Sequence, residues 1–238
     1  KETFVYYETL KNRYPNVRIL TWKKEFNYSA INNFAVREAQ GEYLLFLNND
    51  VEIITENWLE EMLQLCQQKD VGMVGAKLYY PDDTIQHAGV VVGLGGVAAH
   101  VLCKLPRDAE GYMGRLRCVQ EISAVTAACM MVKTSVFKAV GGFDEELKVA
   151  FNDIDLCMKV RKYGVKIVFT PYAELYHYES KSRGMEDTPE KQLRFSREVN
   201  CFRRKWEREL LKGDPYYNPN LTLNNTDCSL RKQEKNGD

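Results

Sequence analysis

The chain of 238 residues has 33 basic and 33 acidic side chains, 45% hydrophobic and 28% charged residues, so no global field draws it to nucleic acid, and none is expected as a partner. Seven cysteines, odd in number and without a Cys-x-x-Cys pair, argue against a disulfide scaffold or structural zinc and for reduced thiols in the cytoplasm. No apolar run approaches the roughly 20 residues of a membrane helix, and the composition supports one core, expected over residues 1–212 with a polar tail over 213–238.

Phe4, Tyr7, Leu10 and Tyr14 recur at three and four spacing, which predicts an amphipathic helix over 2–13 that ends before Pro15. The chain opens on Lys1 directly into this pattern, as a piece of a longer chain with further domains would. Residues 17–20 read as a short strand, Ser29 as the cap of a helix over 30–39, and Gly41 as its stop. Leu44, Leu45, Phe46 and Leu47 are apolar without alternation, as in a strand covered on both faces. Strand, helix, strand predicts a parallel crossover unit. Such sheets bind ligands at the carboxyl ends of their strands, which puts Asn48, Asn49 and Asp50 at a cleft rim. A simple turn is the plainer reading, since Asn and Asp are common turn formers.

Thr55 is expected to cap a helix with Trp58, Leu59, Met62, Leu63 and Cys66 on its inner side, followed by a strand over 71–78. Over 81–117 the periodicity weakens and glycines cluster, as in a hairpin or a mobile loop over a cleft. Thr134 opens a brief helix that ends at Gly141 and Gly142. Asn152, Asp153, Ile154, Asp155 and Leu156 lead another helix, and residues 165–169 and 173–177 read as two strands. The final helix, over 189–211, carries Arg194, Arg197, Arg203, Arg204, Lys205 and Arg208 near Phe202 and Trp206. It could rest on an anionic membrane as a peripheral contact, although a helix packed on one face and solvated on the other is the plainer reading. The tail over 224–238 is expected to be poorly ordered.

Polar groups thus recur at strand ends and helix starts: Asp50, Asp153 with Asp155, and His177. Asp50 suits a hard divalent cation, Asp153 a helix cap or a general base, and His177 a packed imidazole or a ligand.

The order of these motifs resembles family 2 glycosyltransferases of the GT-A fold. The resemblance rests on residues 33–50 ending in Asn48-Asn49-Asp50, on 124–132, on Gly141-Gly142-Phe143-Asp144-Glu145, on Asn152-Asp153-Ile154-Asp155-Leu156, and on the segment from His177 to Gly184. It implies an α/β, Rossmann-like fold, a mostly parallel sheet flanked by helices and incomplete at its N-terminus. It also implies inverting, metal-dependent transfer of a sugar from a nucleotide-diphosphate donor to a glycan or lipid-linked acceptor. The setting would be synthesis of O-antigen-like bacterial surface polysaccharide, in the cytoplasm at the inner face of the membrane. By the same resemblance Asp50 and His177 would hold Mn²⁺ or Mg²⁺, and Asn33, Asn48, Asn49 and Arg183 would bind the donor and its phosphates. Asp153 would be the base, while Asp155, Ala127 and Ala128 would face the acceptor. Asn152 stands where the family usually has Glu. A non-catalytic glycan-binding or scaffolding module of the same fold, and a nucleotidyltransferase, are the alternatives; the presence of Asp50, Asp153 and His177 together argues against the first.

Overall fold

In the computed structural model, which describes residues 2–179 and 188–232, helix α1 (Glu2–Arg13) forms as the periodicity predicts but buries none of its residues. Residues 17–20 belong to no strand, so the predicted strand is absent there. Helix α2 (Tyr28–Glu38) is capped by Asn27, whose side chain accepts the Ala30 N–H at 3.0 Å. Ser29, the expected cap, lies inside the helix and donates to the Leu147 carbonyl at 2.6 Å.

Strands β1 (Tyr43–Leu47) and β2 (Val51–Ile53) precede α3 (Trp58–Cys66) and β3 (Val71–Tyr79). Thr55 does not cap α3 with its side chain; its hydroxyl accepts the Glu174 N–H at 3.2 Å. Then come β4 (Ile85–His87), β5 (Val90–Val92), β6 (Ala98–His100), β7 (Gln120–Glu121) and β8 (Cys129–Lys133). Helices α4 (Thr134–Ala139) and α5 (Asn152–Lys162), strand β9 (Lys166–His177) and helix α6 (Pro189–Lys212) complete the order.

The main sheet runs β1-β8-β3-β9-β2, with β4 on β3 and β7 on β9. Strand β8 lies antiparallel between β1 and β3, and β3 pairs in parallel with β9, so β1, β3 and β9 share one direction. The sheet is therefore mixed rather than mostly parallel. An apolar run reports burial on both faces but carries no information about the direction of the neighbouring strand.

Helices and the β5–β6 hairpin cover the two faces. Leu44 and Phe46 join the larger core with Phe137, Phe143, Leu156 and Phe202, while Tyr43 and Leu45 pack toward Trp58, Met62 and Cys66 of α3. Strand β9 is continuous where two strands were expected. Its register against β3 slips between Gly75 and Lys77, which are opposite Phe169 and Glu174, and Pro171 sits in this irregularity, where no ladder N–H is required.

The region 81–117 is a hairpin rather than a mobile loop: Val90, Val91, Val92, Val101 and Leu102 are buried. Residues 213–232 return onto it instead of trailing away. Asp214 accepts the Val92 N–H at 2.8 Å, the Leu223 carbonyl accepts from Gly95 at 2.8 Å, and the Thr226 carbonyl accepts from Leu102 at 2.6 Å. Polar composition hid this role, because the segment satisfies backbone donors of the hairpin while burying Leu221 and Cys228. Residues 233–238 lie outside the described residues.

Phe202 and Trp206 of α6 are buried in the core, so the aromatic residues considered for a membrane face point inward. Among the described residues no helix is long and apolar enough to cross a membrane, and all seven cysteines are free thiols.

Candidate active site

The chain leaves β1 through Asn48 and Asn49 and re-enters the sheet as β2. Antiparallel pairing sets Val51 opposite His177, and the Asp50 carbonyl accepts the Tyr178 N–H at 2.8 Å. This register brings Asp50 Oδ1 to 3.3 Å from His177 Nε2, while the Asn48 side-chain amide lies 3.2 Å from the same nitrogen. Asp50 Oδ1 is buried without a hydrogen-bond partner. Burial lowers the pKa of His177, and the nearby Asp50 and Glu179 charges offset this in part.

Opposite stands the start of α5, entered through Phe151 in a left-handed conformation at φ 61°. Asp153 Oδ1 accepts the Ile154 N–H at 2.9 Å and Oδ2 accepts the Ala127 N–H at 3.1 Å, so two backbone donors fix the plane of the carboxylate. The Tyr28 hydroxyl donates to the Ala127 carbonyl at 3.2 Å; burial, then the charge of Asp153, raises its pKa and keeps the phenol protonated. Asn152 is buried, and its Nδ2 has no hydrogen-bond partner.

These groups line one cavity of about 600 Å³, bounded by Asn48, Asn49, Asp50, Thr126, Ala127, Ala128, Asn152, Asp153 and His177, with Phe26, Tyr28, Val149 and Glu179. Two expected members are elsewhere. Asn33, assigned to donor binding, ties α2 to the Gly-Gly-Phe turn: its amide donates to the Phe143 carbonyl and accepts the Phe143 N–H, both at 3.0 Å. Asp155, assigned to the acceptor side, is fully buried under α6, where it accepts from Trp206 Nε1 at 2.8 Å and pairs with Lys205 at 2.7 Å and Lys159 at 3.3 Å. On a helix, residues two apart point to different faces, so Asp153 and Asp155 cannot share the cleft. Arg183 lies outside the described residues.

Asp155→Ala should therefore act on stability. The substitution leaves the buried Trp206 Nε1–H without its acceptor, at about 1–3 kcal/mol, while Lys205 keeps its pair with Asp144; urea denaturation would read the loss, and unchanged stability with weakened acceptor binding would return Asp155 to the cleft.

The sequence reading missed a second histidine cluster. His87, fully buried, accepts the Thr126 N–H at 3.4 Å through Nε2, and its Nδ1 is 2.9 Å from His100 Nδ1. Burial, then the neighbouring His100, lowers the pKa of His87; burial likewise lowers that of His100. The unfolded chain takes up these protons near pH 6.5, whereas the folded pair refuses them until lower pH, so stability falls as pH drops through about 6.5. The expected loss is about 1.4 kcal/mol for each histidine in total between about pH 7.5 and 5.5, or about 0.7 kcal/mol per pH unit, measurable as denaturation midpoints across that range. A flat profile would show that the pair accepts protons in place.

The profile of the glycosyltransferase-like family matches residues 13–198. The chain is 53% identical over 230 residues to the Sinorhizobium fredii protein y4gI, covering 96% of this chain and 25% of that protein. It is 42% identical over 225 residues to the O-antigen biosynthesis protein RfbC of Myxococcus xanthus, covering 94% of this chain and 17% of that protein. It thus spans a quarter or less of the length of these two relatives. A crystal structure of GalNAc-T7 with UDP, GalNAc and Mn²⁺ superposes with a TM-score of 0.65 at 14% identity, covering 89% of this chain and 41% of that one. That likeness shows a shared fold, the GT-A type.

Proposed function

We propose, since this chain belongs to the glycosyltransferase-like family, that it transfers a sugar from a nucleotide-diphosphate donor to a glycan or lipid-linked acceptor, with inversion at the anomeric carbon. The observation that carries this reading is one cleft holding the Asp50–His177 pair and the carboxylate of Asp153.

The pair fits a divalent cation. Asp50 Oδ1 is a buried oxygen left without a donor, and it faces an imidazole nitrogen 3.3 Å away. Mg²⁺ and Mn²⁺ sites commonly take one or two protein ligands and complete their shell from phosphate and water. Among the described residues no group of three or more His, Cys, Asp or Glu side chains forms a fuller cage. Asp50 and His177 would hold Mn²⁺ or Mg²⁺, and the bound ion would offset the negative charge of the diphosphate leaving group.

Asp153 supplies the base. The proton of the acceptor hydroxyl passes to its carboxylate as the acceptor oxygen bonds to the anomeric carbon and the bond from that carbon to the diphosphate breaks. The hydrogen bonds from Ala127 and Ile154 leave each carboxylate oxygen a further lone pair for that hydroxyl. Asn48 and Asn49 line the donor side of the cavity, Ala127 and Ala128 its acceptor side, and Arg183 is assigned to the departing phosphate.

The relation to RfbC, named for O-antigen biosynthesis, supports placing the activity in bacterial surface polysaccharide synthesis. The test is a panel of nucleotide sugars supplied with Mn²⁺ and lipid-linked or glycan acceptors. Release of nucleoside diphosphate and a new glycosidic bond of inverted anomeric configuration are expected, read from anomeric proton couplings. A retained configuration would remove Asp153 from the role of base.

A further inference from the structure

Gln86 is the residue of β4 that its ladder with β3 leaves out. Leu78 pairs with His87 and Tyr79 with Ile85, so one step along β3 matches two along β4, and Gln86 is the extra residue of a bulge. Bulges next to functional sites re-aim a side chain that a regular pleat would send elsewhere. Here the side chain, buried in a residue only 5% exposed, reaches His177 on β9. Its Oε1 lies 2.7 Å from His177 Nδ1, and its Nε2 lies 3.2 Å from the His177 carbonyl oxygen and 3.5 Å from Glu179 Oε2.

The proton positions follow from these partners. A backbone carbonyl and a carboxylate both accept, so the end of the amide that faces them is the NH₂. The other end is then the carbonyl oxygen, which accepts as well, and the His177 Nδ1 in front of it must carry the ring proton. A neutral imidazole has a single N–H, so Nε2 is left with a bare lone pair. That agrees with its position 3.2 Å from the Asn48 amide donor.

We propose that Gln86 is a positioning residue that locks His177 in the Nδ1–H tautomer and so presents Nε2, beside Asp50, to a divalent cation. This rests on the reading of Asp50 and His177 as the cation's ligands. The competing tautomer shows why the lock matters. With the proton on Nε2, the ring would donate across the 3.3 Å gap to Asp50 Oδ1, satisfy that buried oxygen and close the pair to a metal. Outer-sphere partners of this kind typically change metal affinity by about 10–100-fold.

With three histidines in the chain, the tautomer can be read directly. Two-bond ¹H–¹⁵N spectra of the ¹⁵N-labelled protein at pH 8, with His177→Ala for assignment, should show His177 as the Nδ1–H form. Gln86→Leu should shift it to the Nε2–H form and weaken Mn²⁺ binding about tenfold, read from the electron paramagnetic resonance signal of the free ion. Gln86→Glu, which still offers an acceptor, should keep the Nδ1–H form. A wild-type His177 found in the Nε2–H form would overturn the proposal even if no Gln86 variant folded. So would Gln86→Leu with tautomer and affinity unchanged while His177→Ala abolishes Mn²⁺ binding, an outcome that leaves the cation reading standing. If His177→Ala and Asp50→Ala also bind Mn²⁺ as the wild type does, the cation reading itself fails.

Discussion

Asp153→Asn is expected to lower turnover by about 10²–10⁴-fold, the contribution of a positioned general base, while donor binding stays near the wild-type level. The amide is isosteric but cannot take the hydroxyl proton. It can still accept from the Ala127 or the Ile154 N–H through its one oxygen, so the cleft loses one of two backbone hydrogen bonds, a cost of about 1 kcal/mol. Turnover at saturating donor, beside calorimetric binding of the nucleotide, separates the two effects. Wild-type turnover in the variant would move the base elsewhere in the cavity, where Glu179 is the other carboxylate beside Asp50.

Asp50→Ala has the second large effect, and its sign depends on whether the cation is present. With Mn²⁺, nucleotide binding should weaken by about 10–100-fold, the scale of a lost charge-assisted contact. Without divalent cation the same substitution should leave stability unchanged or raise it. It removes a buried oxygen that has no donor and that faces the Nε2 acceptor of His177. Melting temperatures in EDTA and in Mn²⁺ read both arms. A structural Asp50 would instead lose stability in both conditions.

Much of this could be read from the residues in order, and the failures have physical causes. The apolar run that ends at Asp50 showed a strand delivering polar groups, because continuous apolarity and an abrupt change to amides and a carboxylate are local signals. Strand direction is not local, and the antiparallel β8 between β1 and β3 left no mark in the sequence. Asp155 entered the expected site with Asp153 through their shared motif, although the helix turns it under Trp206. Asn33 likewise carried a motif but serves the turn at Phe143. Gln86 and His87 went unread inside a weakly patterned region, yet two polar residues in a buried strand were a signal, since buried polar groups require partners. The tail was judged by its polarity, whereas its backbone carbonyls do the packing against the hairpin.

If Asp50 and His177 bind a divalent cation, binding of a nucleotide diphosphate should depend on it. The most direct measurement is the thermal stability of the chain with UDP, GDP or dTDP, in Mn²⁺ and in EDTA. At least one nucleotide should stabilise the chain in Mn²⁺, by about 2.7 kcal/mol at a hundredfold excess over the dissociation constant, with no shift in EDTA and a shift cut to about 0.4–1.4 kcal/mol for Asp50→Ala at the same nucleotide concentration. A nucleotide shift of equal size in EDTA, or no shift with any of the three, would contradict that dependence.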